Sequence, residues 1–291
     1  MANKQKQKSV TGNSLWKGAL IRLRRNKRAM FGLGVFCVIV LLAVFAPIIA
    51  PYGFDDQDIA NAFAKISLAH PLGTDNLGRD LLSRLLYGGR ISLVLGIIAV
   101  AVAGIIGGLI GTFSGYYGGK IDNVIMRIMD VIQAIPGILL AIAIAQALGT
   151  GMVNCMIAIG ISAIPRNARL MRGVVLSAKD SEYVEAAKLN TASDLRIMVK
   201  HIVPNVLSPF IVENTMGYAS CLLMAASLSF IGLGAQPPSP EWGAMITAGR
   251  QYIIQYPNMV TFPGVAIMCT VISLNLLGDG LRDALDPKMK Q

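Results

Sequence analysis

Charged side chains are excluded from several windows of this chain, each about 20 residues long, which is the length that spans the hydrocarbon core of a bilayer. Only 14% of the 291 residues are charged, against about 25% in soluble domains. The arrangement predicts an all-α, polytopic membrane protein with six transmembrane helices. The predicted spans are residues 30–50, 91–114, 124–147, 152–172, 206–232 and 259–279.

The predicted fourth span is apolar only as far as Ile164. Pro165 and Arg166 are expected to mark its approach to water. The first span follows a segment, residues 1–29, that holds nine Lys and Arg residues and no acid. A secretory signal has a short basic head and an apolar core of about 7–15 residues. The longer head and longer apolar run therefore favour an uncleaved first span.

The distribution of basic residues predicts the orientation. With the N-terminus inside, cytoplasmic segments hold 21 of the 26 Lys and Arg residues. Basic residues accumulate in cytoplasmic loops, so both termini are predicted to be cytoplasmic. The expected organisation is a basic tail (1–29), a first transmembrane helix (30–50), an extracytoplasmic loop (51–90), a transmembrane core (91–279) that contains a cytoplasmic loop (173–205), and a cytoplasmic C-terminal tail (280–291).

Other functional classes receive little support from composition. The net charge of +10 would suggest nucleic acid in a soluble protein, but here it reflects the loop bias, so no nucleic-acid partner is expected. The four cysteines lie in apolar windows without paired spacing, and His70 and His201 are far apart. No disulfide, metal site or catalytic residue is therefore predicted.

Glycines recur every four residues in the second span, at Gly107, Gly111, Gly115 and Gly119, with Gly104 and Gly108 as a second row. This spacing places them on one stripe of a helix, where another backbone can approach closely. Tight helix packing is the favoured interpretation, and a helix that lines a path or a mobile seam is the alternative.

Few ionisable residues fall inside the predicted spans, where they are costly and often functional. Asp130 is expected to pair locally with Arg127. Glu213, beside Asn214, could face a pore or pair with a neighbouring helix, so these two residues are the candidates for a translocation path.

A polar segment between two apolar windows is predicted to form two short helices. Ser181 is expected to cap the first helix, with Glu182 in its opening turn. Tyr183, Ala187 and Leu189 supply apolar character. Glu185 is available for polar contacts, and Ala186 and Ala187 are small enough to allow close approach by another protein.

The second short helix is expected to begin after Thr191, whose hydroxyl would cap it, with Asp194 three residues on in a capping-box pattern. Pro204 is expected to end this helix and to start the next span. An ordinary surface loop is the alternative, but most connections are only a few residues long. The length and the caps favour a docking element.

From Glu185-Ala186-Ala187 to Pro204, this segment resembles the coupling loop of the dipeptide, oligopeptide and nickel branch of ABC-importer permeases. Further stretches of residues 15–288 resemble the same branch, in particular its second permease subunit. They include His70-Pro71-Leu72-Gly73-Thr74-Asp75, Arg90-Ile91-Ser92-Leu93, Ala168-Arg169-Leu170-Met171-Arg172, Ser229-Phe230-Ile231-Gly232-Leu233-Gly234, Glu241-Trp242-Gly243 and Asn275-Leu276-Leu277-Gly278-Asp279.

The resemblance implies the type I ABC-importer permease fold in the inner or plasma membrane of a prokaryote. The implied partners are a homologous permease, two ABC ATPase subunits, an extracytoplasmic solute-binding protein and membrane lipid. ATP and Mg²⁺ would be bound by the ATPases and no cofactor by this chain. The family pattern has Gly where this chain has Thr191, and Leu where it has Val203. Thr191 is compatible with the turn if it is extended and caps the next helix.

The sequence itself contains no phosphate-binding loop, since Gly119-Lys120 is followed by Ile121. An ion-gradient-driven secondary transporter is the alternative function, but it requires midplane ligands that only Glu213 and Asn214 could supply. An intramembrane aspartyl protease would need a second aspartate beside Asp130 at membrane depth. The solute is not specified by the sequence; peptides, nickel, metal chelates and glutathione-like compounds are the candidates.

Overall fold

The structure is a computed structural model that describes residues 12–285, and within this range it contains helices and no β-strand. The helices are α1 (Gly12–Arg25), α2 (Lys27–Val44), α3 (Ala46–Ile49), α4 (Leu81–Tyr117), α5 (Gly119–Gln133), α6 (Gly137–Leu148), α7 (Met152–Ala178), α8 (Glu182–Leu189), α9 (Asp194–Arg196), α10 (Val203–Phe230), α11 (Trp242–Gly249) and α12 (Asn258–Leu285). The all-helical class predicted from the sequence is confirmed for the described residues.

Helices α4 and α7 approach each other closely, because glycines on α4 remove the side chains between the two backbones. A methyl group built on Gly107 would lie 2.6 Å from Asn167 Cβ, and one built on Gly111 would lie 2.3 Å from the Ala168 carbonyl oxygen. Both distances are well inside van der Waals contact. The glycine stripe is therefore a packing seam, which confirms the favoured interpretation.

The second row of glycines on α4 faces α10. Gly104 lies against Asn214, and Gly108 lies against the ring of Phe210. Gly119 does not belong to the stripe: it lies outside α4, at the first position of α5, with φ +57° and open space around its Cα. Helix α4 therefore packs between α7 and α10, and apolar side chains of all three helices share one core cluster.

The third span was predicted as a single helix, and this prediction is wrong. Helices α5 and α6 meet at an angle of 86° across residues 134–136. Pro136 lacks a backbone N–H and restricts the residue before it, so an uninterrupted helix is disfavoured at this point. The apolar run thus folds as a broken pair rather than as a straight rod.

Helix α7 extends beyond the predicted fourth span, residues 152–172. Helix α7 continues past Ile164 and through Pro165 as far as Ala178. Pro165 is buried in the packed part of α7, where neighbouring helices can compensate for the missing hydrogen bond, as they do in membrane helices. The charged half of α7 is therefore a direct helical extension of its apolar half.

Four described helical stretches are long and apolar enough to cross a membrane: Lys27–Val44, Leu81–Tyr117, Asp194–Phe230 and Asn258–Leu285. The α5–α6 pair makes a fifth if it is counted as one span. Helix α7, with three arginines in its C-terminal half, does not meet the same criterion. The chain is thus a multi-pass membrane protein with four or five such stretches.

The two segments predicted to be extracytoplasmic, 51–90 and 233–258, pack on each other. The rings of Phe63 and Tyr256 stack with centroids 4.4 Å apart, and Asn258 Nδ2 donates to the Leu72 carbonyl at 2.9 Å. Helix α4 begins inside the first segment, at Leu81, where the Asp80 carboxylate accepts from the Ser83 N–H. The second predicted span therefore starts ten residues earlier than its apolar pattern suggests.

Candidate functional site

The predicted cytoplasmic loop, residues 173–205, is here called the coupling segment. Its first helix, α8, is anchored to the body of the protein through Val184 and Ala187. These side chains pack in a buried cluster with Val175 of α7 and with Ile197 and Ile202 further along the segment. The short helix is therefore fixed on its inner side by the same helix that forms the glycine seam.

The opposite side of α8 faces away from the protein. Among the predicted docking residues, Glu182, Tyr183, Glu185, Ala186 and Leu189 are exposed, with Leu189 retaining 85% of its accessible surface. Ala187 retains only 7%. The prediction that Ala186 and Ala187 together meet a partner is thus wrong for Ala187, because its methyl group packs into the protein's own core.

Ser181 occupies the position before α8 but does not cap it with its side chain. Its hydroxyl donates to the Ala178 carbonyl at the end of α7. The Ser181 carbonyl accepts the first backbone hydrogen bonds of α8, from Val184 and Glu185. The helix start was therefore predicted correctly, and the side-chain cap was not.

Thr191 does not have the extended conformation that was predicted for it. Its φ is +55°, in the left-handed region. The Thr191 N–H donates to the Lys188 carbonyl, and the Ala192 N–H donates to the Ala187 carbonyl. This pair of bonds defines a Schellman motif, in which the residue after the C-cap is left-handed and is usually Gly. Thr191 therefore terminates α8 and does not cap the following helix.

The second helix begins at Asp194, after Ser193, and Asp194 takes no part in a capping box with Thr191. Its carboxylate instead accepts a 2.7 Å hydrogen bond from Tyr116 Oη at the end of α4. The predicted capping box between Thr191 and Asp194 is therefore wrong, and Asp194 makes a tertiary contact instead. This contact ties the coupling segment to α4.

Pro204 does not end the second helix. Residues Ile197–Ile202 form a π-helical turn, and the Val203 N–H donates five residues back to Met198. Pro204 then lies in the first turn of α10, directly after the π-helical turn. Residues Asp194–Phe230 are consequently one helical stretch, which joins the coupling segment directly to a candidate span.

A buried polar cluster next to the coupling segment was missed at the sequence level. The Arg172 guanidinium on α7 forms two hydrogen bonds with the Asp122 carboxylate on α5, and Ser114 on α4 donates to the same carboxylate. Arg172 belongs to one of the recognised motifs, but its partner is 50 residues away. Neither periodicity nor local spacing could have indicated that pairing.

A cavity of about 360 Å³ lies where α4, the α5–α6 break, α7 and α10 meet. Both candidate path residues, Glu213 and Asn214, line it, together with Arg166 and Asn167. Glu213 forms an ion pair with Arg166 of α7. Glu213 therefore pairs with a neighbouring helix, which was one of the two alternatives, and it also lines this cavity; a pore-facing role stays a prediction.

The sequence predicted an ion pair between Asp130 and Arg127, and this prediction is wrong. The Asp130 carboxylate lies 2.6 Å from the Arg169 guanidinium of α7. Both side chains are about half exposed, and neither lines the cavity. No second aspartate accompanies Asp130 in this pair, which gives the aspartyl-protease alternative no support.

A multi-pass helical bundle with a cavity between its helices is compatible with a membrane transport protein. Residues 104–291 match the family described as "binding-protein-dependent transport system inner membrane component", and residues 14–71 match the "N-terminal TM domain of oligopeptide transport permease C". The chain belongs to this permease family. It is a component of an ATP-driven importer, not a secondary transporter.

The relatives are similar to this chain along nearly its whole length. The dipeptide transport system permease protein DppC of Alkalihalophilus pseudofirmus is 45% identical over 96% of this chain and 92% of its own. The glutathione transport system permease protein GsiD of Escherichia coli is 46% identical over 94% and 91%. A solved inward-facing MetNI methionine ABC transporter chain matches with a TM-score of 0.55 at 20% identity, covering 69% of this chain and 95% of that one. This last likeness concerns the fold.

Proposed function

We propose that this chain is the second permease of an ATP-driven importer for peptides or related small solutes in the inner or plasma membrane of a prokaryote. It forms a translocation path with a homologous permease. All six spans cross the membrane, with the α5–α6 pair and α7 counted as the third and fourth, and both termini are cytoplasmic. The excess of basic residues in the segments assigned to the cytoplasm supports this orientation.

The observation that carries the proposal is the two-sided character of α8. Val184 and Ala187 hold its inner side, while Tyr183, Glu185 and Ala186 remain open on its outer side. A helix fixed on one side and exposed on the other can transmit a push from a partner into the membrane helices. We assign that partner as one of two ABC ATPase subunits, which bind ATP and Mg²⁺.

Residues of the coupling segment have distinct roles in this proposal. Glu182 and Glu185 supply charge-assisted contacts to the ATPase, and Ala186 permits close backbone approach between Tyr183 and Leu189. Thr191 and Asp194 fix the angle and position of α8, and Pro204 carries its movement into α10. ATP-driven closure of the ATPases would then switch the permease pair between inward-open and outward-open states.

Delivery of solute is assigned to an extracytoplasmic binding protein that rests on segments 51–90 and 233–258. Because these segments pack on each other through Phe63 and Tyr256, they form one layer that a partner could contact. The relatives named for dipeptide and glutathione transport favour small peptides as the solute. Nickel or a metal chelate is the second candidate suggested by the family branch.

The test is a charge insertion on the open side of α8. Ala186→Arg should abolish co-purification of the ATPase subunits and uptake into proteoliposomes, because a long cationic side chain blocks close approach. Ala60→Arg, which makes the same change at an exposed site in segment 51–90, should retain the ATPases. Normal uptake by the Ala186→Arg assembly would refute the assignment of α8 as the ATPase contact.

A further inference from the structure

The cavity beside Glu213 is lined by one cation and one anion. Arg166 and Glu213 are the two charged side chains among its lining residues, and they pair across α7 and α10. Arg166 retains 61% of its side-chain exposure and Glu213 retains 22%. The pair is therefore accessible from the cavity, and its charges balance.

The wall around Glu213 has hydrogen-bond acceptors in excess. Asn167 and Asn214 each donate through Nδ2 to a backbone carbonyl four residues earlier, at Ala163 and Phe210 respectively. Their Oδ1 atoms are buried and have no donor within residues 12–285. Asn167 as a whole is only 7% exposed. Buried acceptors are rarely left unpaired, so this wall lacks an N–H donor.

These observations describe a site that can hold opposite charges a short distance apart. A protonated amine would satisfy Glu213, and a carboxylate would satisfy the guanidinium of Arg166. A solute that carries only one of these groups would leave the other member of the ion pair without its partner. The cavity therefore matches a dipolar solute.

We propose that this cavity is a transit site for dipolar solutes, in which the solute ammonium group binds Glu213 and its carboxylate binds Arg166, so that the solute replaces their mutual ion pair. This proposal rests on the proposed function, because it requires solute to pass along this chain. It adds the residues that recognise the solute inside the membrane.

The test uses the complete assembly with its binding protein in proteoliposomes, with labelled dialanine and glutathione as probes. The measured quantity is solute taken up per ATP hydrolysed. Glu213→Gln should lower this ratio about tenfold, because one charge-assisted contact is lost. Binding-protein-stimulated ATP hydrolysis should stay within about twofold of wild type, since the variant leaves α8 unchanged.

Two further variants separate recognition from folding. Arg166→Gln removes the cation of the pair and should lower the uptake ratio about tenfold, because the solute carboxylate loses its charged partner. The double variant Arg166→Gln with Glu213→Gln removes both charges, so that neither is left without its partner. A purely structural pair would recover uptake in this double variant, whereas a recognition site should stay at or below the level of Glu213→Gln.

The control is the second ion pair on the same helix. Arg169→Gln removes a comparable surface pair with Asp130 outside the cavity and should leave the uptake ratio unchanged. The transit site is overturned if Glu213→Gln retains the wild-type ratio or if the double variant restores it. Loss of ATPase co-purification in Ala186→Arg remains a separate readout, so failure here is distinguishable from failure of the proposed function.

Discussion

The seam between α4 and α7 can be tested by adding one methyl group at Gly111. That methyl group would lie 2.3 Å from the Ala168 carbonyl oxygen, 2.7 Å from Met171 Cβ and 2.8 Å from the Arg172 nitrogen. Two of these three atoms belong to backbone and cannot rotate away. The helices would have to separate locally by about 1 Å to restore ordinary contact distances. Overpacking of this kind costs about 1–3 kcal/mol, and the rigid neighbours favour the upper part of that range.

Gly173 on α7 provides the matched control, because a methyl group built there meets no atom within 4 Å. Gly173→Ala should be neutral or stabilising by up to about 1 kcal/mol, since alanine has the higher helix propensity. The assay is unfolding of the purified chain in a denaturing-detergent titration, followed by circular dichroism. We expect Gly111→Ala to unfold at clearly lower denaturant than wild type. Equal unfolding midpoints for the two variants would refute the close approach of α4 and α7.

Two further predictions concern the coupling segment and its surroundings. Thr191→Gly should stabilise the end of α8 by about 1 kcal/mol, because a β-branched residue is strained at positive φ. The Ala192 amide should then exchange with deuterium several-fold more slowly than in wild type. An unchanged exchange rate would contradict the left-handed conformation of Thr191. Asp122→Asn should destabilise the protein by about 2–3 kcal/mol, because Arg172 loses its charged partner in a largely buried cluster; the same unfolding titration measures this loss. Asp130→Asn, which breaks an exposed pair, should cost less than about 1 kcal/mol, and equal losses for the two aspartates would contradict the burial argument.

Patterns that repeat along the chain predicted most of the architecture. Charge exclusion identified the helical membrane class, and the four-residue glycine spacing identified the α4 seam, because helical periodicity places equivalent residues on one face. The start of α8 after Ser181 was also predictable from local preference. These properties depend on neighbours within one or two helical turns, which a sequence displays directly.

Predictions that depended on backbone detail or on distant partners were less successful. The conformation of Thr191 is set by the Schellman bonds that end α8, and these outweigh its preference for an extended conformation. The tyrosine that binds Asp194 is 78 residues away in sequence, and the partner of Glu213 lies on another helix. Such pairings follow from the tertiary fold, so neither capping rules nor local charge spacing could identify them.

Helix α8 is joined to the membrane helices through a buried contact at Val175. Val184 of α8 and Val175 of α7 share one buried cluster, and a methyl group built on Gly115 of α4 would lie 3.0 Å from Val175 Cβ. Val175 thus contacts α8 on one side and the glycine seam between α4 and α7 on the other. Because packed interiors deform little, a displacement of α8 must shift α7 along α4 or break this contact. The hydrogen bond between Tyr116 and Asp194 is a second attachment, and it joins the coupling segment to α4. A push on α8 should therefore move α7 and α10 relative to α4, and the cavity that holds Arg166 and Glu213 lies between those three helices.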